Sequence, residues 1–307
     1  MSFKLTILGS SGALPAYGRF PSSQFLNIQN HHFLIDCGEG TQLQLVHYAI
    51  PIHKIGHIFI SHLHGDHYLG LTGLIFSMHL QRRESDLHLY SFRGLDEILL
   101  AQLKHSKSVL NFKIVFHRLV EGKAETIFED DFVNVITIPL DHKIPTSGFL
   151  FREKPKEVRI DKSKLKEGIQ LQHILRLKKG EDVLDENGKL LYRNRDYTLS
   201  PKPSFSYAYC SDTQPAEKII EQIHDIDLLY HEATFMEQER EKAFDTKHST
   251  ASGAARVAKL SQVRKLIIGH FSARYKDLSG LLDEARQIFP ETFLAKEGDT
   301  FEMTDGI

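Results

Sequence analysis

Residues 59–70 read FISHLHGDHYLG, with three histidines and an aspartate inside six positions directly after an apolar run. His62 and His64 lie two apart at the end of the strand-like HIFIS, and side chains two apart on extended backbone share a face, so both can grip one metal. Gly65 lets the chain turn sharply, which aims Asp66 and His67 at a second position close by. A single structural zinc takes only four ligands, usually in a closed and often cysteine-rich set. Four ligands from one loop, with more candidates ending later strands, instead suggest two metals about 3.5–4 Å apart, a spacing suited to phosphoester cleavage.

The later candidates share one grammar. His142 follows FVNVITIPLD, Asp212 follows YAYCS and His270 follows KLIIG, so each stands where an apolar run gives out. Other short runs bounded by Gly, Pro, Asn or Ser (FKLTILGS, SSQFLNIQ, HHFLIDCG, LHLYSF, GFLFRE, DLLYHEAT) read as strands. YLGLTGLIFSMHLQRR, GLDEILLAQLKHSKSV, PAEKIIEQIHD and STASGAARVAKLS carry apolar residues at helical spacing. Strands alternating with amphipathic helices predict a mixed α/β fold with helices outside the sheets.

Bulk properties bound the function. The 307 residues are 41% hydrophobic and 25% charged, with a formal net charge of -2, so any nucleic-acid surface has to be a local patch. No apolar stretch approaches the ~20 residues of a membrane span, and FKLTIL is too short for the core of a signal peptide, which predicts a cytoplasmic protein. Cys37 and Cys210 lie far apart without C-x-x-C spacing and read as buried small hydrophobes. From Arg152 to Pro203 the chain carries 14 Lys/Arg against 9 Asp/Glu, an excess of 5 that leaves -7 for the remainder. Such segregation marks either a solvated insertion or a basic arm that meets a polyanion.

The set H-x-H-x-D-H at 62–67 with His142, Asp212 and His270 resembles the metallo-β-lactamase fold. HEATF at 231–235, HST at 248–250 and GHFSARY at 269–275 make the chain similar to the ribonuclease Z (tRNase Z) family of tRNA 3'-processing endonucleases. The resemblance implies one catalytic domain over residues 1–307, an α/β protein built as an αββα four-layer sandwich with a projecting basic arm at 152–203. It implies that His62, His64 and His142 bind one Zn²⁺, that Asp66, His67 and His270 bind a second, and that Asp212 bridges them. The activity implied is removal of the 3' trailer from precursor tRNA by metal-hydroxide attack, leaving a 3'-hydroxyl, in a homodimer whose arms hold the tRNA.

Within that frame Asp66 also orients or deprotonates the attacking water, and His248 is the candidate acid for the leaving ribose oxygen, with Glu232 fixing its tautomer and charge. Asp36 resembles an early strand-end aspartate that supports the metal loops. Arg274 is a candidate phosphate ligand. In the arm, Lys154, Lys156, Arg159, Lys162, Lys164, Lys166, Arg176, Lys178 and Lys179 are candidates for backbone contacts to RNA. The arm reads LKEGIQLQHILRLKKG in place of the family's Gly-Pro-rich stretch. GALPAYGRFPSSQ departs from the family's P-x-K-x-x-R-N loop, with Tyr17 where a lysine is expected. A small-molecule phosphodiesterase of the same fold is the alternative, and the basic arm argues against it. A non-catalytic RNA-binding module would show gaps among the seven ligands, and none is missing.

Overall fold

A computed structural model of the chain describes residues 3–165, 168–215 and 217–304, so Lys166 lies outside the described residues. Alternation along the strands builds the layers. In Phe3–Gly9 and His31–Cys37, the side chains of Phe3, Leu5, Ile7, Phe33 and Ile35 enter one core cluster, while Leu8 and Leu34 point the opposite way into another. Successive strand side chains face opposite sides of a sheet, and both sides here are apolar, so both sides must be covered.

One seven-stranded sheet runs, in spatial order, Thr300–Met303, Phe3–Gly9, Ser23–Ile28, His31–Cys37, His57–Phe59, Leu87–Ser91, Ile114–Arg118. The other runs Thr292–Leu294, Lys265–Gly269, Leu228–Glu232, Ser206–Cys210, Ser147–Glu153, Val133–Pro139, Thr126–Glu129. Their inner faces meet in an aromatic layer, with Phe59 stacked on Tyr90 at 4.5 Å and both Phe33 and Phe59 reaching Phe151 of the opposite sheet at 5.5 Å. Truncating one of these rings to alanine costs about 3–5 kcal/mol. Helices Leu71–Leu80 and Leu95–His105 cover the first sheet through Leu71, Leu74, Met78, Leu95 and Leu99. Ala251–Leu260 and Ser279–Arg286 cover the second through Ala254, Ala258 and Leu281. The result is the four-layer αββα sandwich.

Helix limits differ from the sequence reading where the backbone turns. The run at 68–83 is two helices, Gly65–Tyr68 and Leu71–Leu80, separated at Gly70, where a side chain would meet the Gly38 carbonyl at 2.1 Å. The arm carries the helix Leu171–Lys178, beginning after Gln170, and the short helix Asn194–Tyr197. The edge strands Ile114–Arg118, Thr126–Glu129, Thr292–Leu294 and Thr300–Met303 escape the sequence reading, because half-exposed edges lack a continuous apolar run. Within the arm, Arg159–Ile160 pairs with Thr198–Leu199 and Val183–Leu184 with Leu190–Tyr192, around a small core of Leu177, Val183 and Tyr197.

Four neighbouring strands in each sheet are parallel, from His31–Cys37 to Ile114–Arg118 and from Ser206–Cys210 to Thr292–Leu294. Crevices for ligands form beyond the carboxyl ends of such strands, and the predicted site residues gather there.

Candidate metal centre

The strand His57–Phe59 stops three residues before His62, so the histidine-rich loop begins beyond the sheet. Asp36 organises that loop. Its Oδ1 accepts the Ser61 amide at 2.7 Å, and its Oδ2 accepts Ser61 Oγ at 2.9 Å, His67 Nδ1 at 2.7 Å and the Tyr209 hydroxyl at 2.6 Å. A fully buried carboxylate with four donors is satisfied, and it locks His67 with Nε2 facing the cleft. Asp36, Asp212 and His270 all sit in the left-handed region, with φ of 55°, 52° and 58°. This conformation turns each side chain out of its strand direction, and such strain is sustained where the surroundings require it.

Seven side chains converge. His62 Nε2 lies 3.0 Å from His64 Nδ1, which lies 3.3 Å from His142 Nε2. Asp212 Oδ2 faces this trio, 3.5 Å from His62 Nε2 and 3.7 Å from His142 Nε2. Asp212 Oδ1 faces the other way, 3.3 Å from His67 Nε2 and 3.1 Å from His270 Nε2. Asp66 Oδ2 completes that second group, 3.5 Å from His67 Nε2 and 3.4 Å from His270 Nε2. Ligands bound tetrahedrally at 2.0–2.1 Å stand about 3.3–3.4 Å apart, so both sets have the spacing of a coordination shell.

The nitrogens not facing the cleft are held from behind. His62 Nδ1 donates to Ser61 Oγ at 3.0 Å, His142 Nδ1 to the Lys247 carbonyl at 3.0 Å, and His270 Nδ1 to Thr234 Oγ1 at 3.0 Å. Inside, His67 Nε2 is buried and no hydrogen-bond partner meets it among the described residues. A buried ring nitrogen left so, between two carboxylates, is what a bound cation would satisfy. Burial draws His62, His64 and His142 below the ordinary histidine range, which keeps them neutral and able to ligate a cation. Burial also opposes charge on His67, but Asp212, Asp66 and Asp36 outweigh it and push this ring well up. A proton on His67 thus occupies the place of positive charge that a metal would take.

Against both sets lies a further pair, and His248 also stands close enough to Asp212 and His270 to form a third possible cation-holding group. His248 Nδ1 donates to Glu232 Oε1 at 2.8 Å, and the His248 ring lies 5.0 Å from that of His142 and 5.4 Å from that of His270. Glu232 ends the strand Leu228–Glu232, fully buried, and its oxygens also accept the Thr213 amide at 2.8 Å and Thr234 Oγ1 at 2.6 Å. Burial works against a charged His248, yet the carboxylate prevails and pushes it up to about 9. The cap of the following helix is Thr250, whose Oγ1 accepts the Gly253 amide, so Glu232 and His248 are not engaged in capping.

The remaining candidates lie apart from these seven side chains. Arg274 Nη1 is bonded to Glu239, its Nε donates to Ser272 Oγ at 3.1 Å, and its guanidinium lies 5.2 Å over the Phe235 ring. At the arm root, Lys154, Lys156, Arg159 and Lys178 line one cavity of about 620 Å³ together with Phe132 of the body. Lys156 is tied into that root by buried Glu153 at 2.8 Å and the Pro203 carbonyl at 2.8 Å. Lys154 pairs with Glu129 at 2.7 Å and Lys178 with Glu157 at 3.0 Å, whereas Lys179 is exposed at the end of the arm helix. Thr234 falls inside the HEATF motif, whereas Ser61 and Tyr209 carry no sequence signal of their own, although Ser61 adjoins His62. Cys37 and Cys210 are buried free thiols, as expected.

Comparison with known proteins places this geometry. A family profile described as Anti-Pycsar protein Apyc1 matches residues 3–153. The short form of human tRNase Z superposes with a TM-score of 0.71 at 25% identity, over 97% of this chain and 98% of that one. The metallo-β-lactamase fold protein YhfI of Bacillus subtilis superposes at 0.69 with 18% identity, over 98% and 99% of the two chains, and so shares the fold. Ribonuclease Z of Bacteroides fragilis is 44% identical over 96% of this chain and 97% of its own length. Ribonuclease Z of Cytophaga hutchinsonii is 48% identical over 100% of this chain and 98% of its own. With full-length identity at that level, this chain belongs to the ribonuclease Z family.

Proposed function

We propose that this chain is a metal-dependent endoribonuclease that removes the 3' trailer from precursor tRNA, with two Zn²⁺ per chain. The observation that carries the reading is Asp212, whose two oxygens face two separate ligand sets. His62, His64, His142 and Asp212 Oδ2 would hold one cation, and Asp66, His67, His270 and Asp212 Oδ1 the other. When bound, such a pair supplies a readily deprotonated water and positive charge for the phosphate oxygens.

The chain's own groups do the rest. Asp66 Oδ2 is engaged by the Ala13 amide at 2.7 Å, which leaves Oδ1 to orient the attacking water. Attack at phosphorus breaks the bond to the ribose 3' oxygen, and His248 Nε2 gives that oxygen its proton, so the tRNA leaves with a 3'-hydroxyl. Glu232 keeps Nδ1 protonated and stabilises the imidazolium before transfer. The arm at 152–203, with its excess of basic residues, is read as the surface that grips tRNA away from the cut, as part of a homodimer. It favours an RNA substrate over a small phosphodiester. No helix among the described residues is long and apolar enough to cross a membrane, and we place the activity in the cytoplasm.

The test is incubation with a precursor tRNA bearing a 3' trailer, with and without chelator, mapping the cut at nucleotide resolution. A chelator-sensitive cut just after the discriminator base is expected. Intact metal content and hydrolysis of a simple phosphodiester, with no cut in the RNA, would overturn the reading in favour of a small-molecule hydrolase.

A further inference from the structure

Residues 10–21 form a loop built onto the metal centre. The Ala13 amide donates to Asp66 Oδ2 at 2.7 Å, and the Gly12 amide donates to the Phe271 carbonyl at 3.0 Å, one residue past His270. Gly12 lies so close to the His270 ring that a Cβ there would be 2.8 Å from Cε1. From this foot the chain rises into a two-residue hairpin. Ala16 and Arg19 exchange both backbone hydrogen bonds, at 3.1 and 2.9 Å, and the two residues at the tip, Tyr17 and Gly18, have φ of 54° and 81°.

Paired positive φ is the signature of the tightest hairpin turns, which favour Asn, Asp or Gly at both positions. Gly18 fits that preference, whereas a tyrosine in the left-handed region is an outlier that local structure does not require. Its side chain is 58% exposed, so burial does not repay the strain. One face of the ring is backed by Arg19, whose guanidinium carbon lies 5.4 Å from the ring centroid. Arg19 is itself fixed, only 8% exposed, with Nη2 donating to the Tyr275 carbonyl at 2.7 Å. The chain thus holds an aromatic plate on a rigid mount. Four residue steps run from Ala13 to Tyr17, so the Tyr17 Cα stands at most ~14 Å from the Ala13 Cα and, through the 2.7 Å amide hydrogen bond, at most ~18 Å from the carboxylate of Asp66.

We propose that Tyr17 is a stacking platform for a nucleobase flanking the cleaved phosphate, so that it positions single-stranded RNA across the metal centre. A base has a π face whatever its identity, and stacking on a solvent-exposed aromatic ring gives sequence-tolerant binding of an unpaired strand. The cation behind the ring adds to its rigidity. This inference rests on the RNA-cleaving reading above.

The test compares wild type, Tyr17→Phe and Tyr17→Asn on one trailer-bearing precursor tRNA, and on versions with a single abasic nucleotide placed in turn at each position beside the cut. Tyr17→Asn is the informative variant, because asparagine suits the left-handed turn and the folded protein should melt at or above the wild-type temperature. Its KM is expected to rise ~10-fold with kcat within about twofold, and Tyr17→Phe is expected to retain wild-type KM. At one position the abasic substrate should bring wild type and Tyr17→Asn to the same KM. An unchanged KM for Tyr17→Asn, or a penalty that persists with every abasic substrate, overturns the platform. Failure of the wild-type protein to cut the RNA at all would instead remove the functional reading on which it rests.

Discussion

Replacing Glu232 by glutamine tests the proton donor without disturbing its position. The amide oxygen can still accept the His248 Nδ1 proton, now made at 2.8 Å to the carboxylate, but the negative charge that holds His248 at about 9 is gone. Without it, burial is opposed mainly by Asp212, and the ring falls back toward the ordinary histidine value of about 6.5. The acid acts only when protonated, and protonation is lost as pH rises through the pKa, so the alkaline limb of the rate must move down. At pH 8 a group at about 9 is roughly 90% protonated and one at about 6.5 only about 3%, a loss of roughly 30-fold. At pH 6 both are mostly protonated and the variant should stand within about twofold of wild type. Single-turnover cleavage of precursor tRNA at pH 6, 7 and 8 reads this directly, and taking the variant-to-wild-type ratio cancels ionisations common to both. His248→Ala, with no proton to give, should be slow at every pH by about 10²–10⁴-fold. An equal loss for Glu232→Gln at pH 6 and pH 8 would refute charge stabilisation as the role of Glu232.

Two further substitutions probe the supports. Asp36→Asn removes the charge behind His67 and leaves Ser61, Tyr209 and His67 competing for one acceptor oxygen, so zinc affinity should fall about 10–100-fold in competition with a chelating dye. Wild-type affinity would mean that the loop at 61–67 is held by packing alone. Deleting residues 158–200 should weaken tRNA binding, with a shallower dependence on salt, while hydrolysis of a nitrophenyl phosphodiester persists. Equal losses on both substrates would make the segment structural.

The candidate ligands were legible because coordination demands particular side chains, and four of them share one loop. His142, Asp212 and His270 were legible as polar residues at the ends of apolar runs, and the structure brings all three to the loop at 62–67. The αββα layering was not legible from periodicity, which cannot say which strands pair; it came with the family resemblance. Hidden too were the contacts made across the sandwich. Tyr209 bonds Asp36 from the opposite sheet, 173 residues along, and nothing in YAYCS announces that hydroxyl. The arm lysines illustrate a different limit. Counting charges found the basic excess, but only coordinates reveal that Lys156 serves buried Glu153 while Lys179 stands exposed.

The most direct measurement starts from protein stripped with a chelator and adds Zn²⁺ in steps, following both bound metal and the rate at which a precursor tRNA is cut after its discriminator base. The rate should climb until two ions are bound per chain and should not climb for Asp212→Ala, whose two ligand sets have lost the carboxylate they share. Full activity at one ion per chain, or a cut that survives removal of all metal, would contradict the two-cation centre.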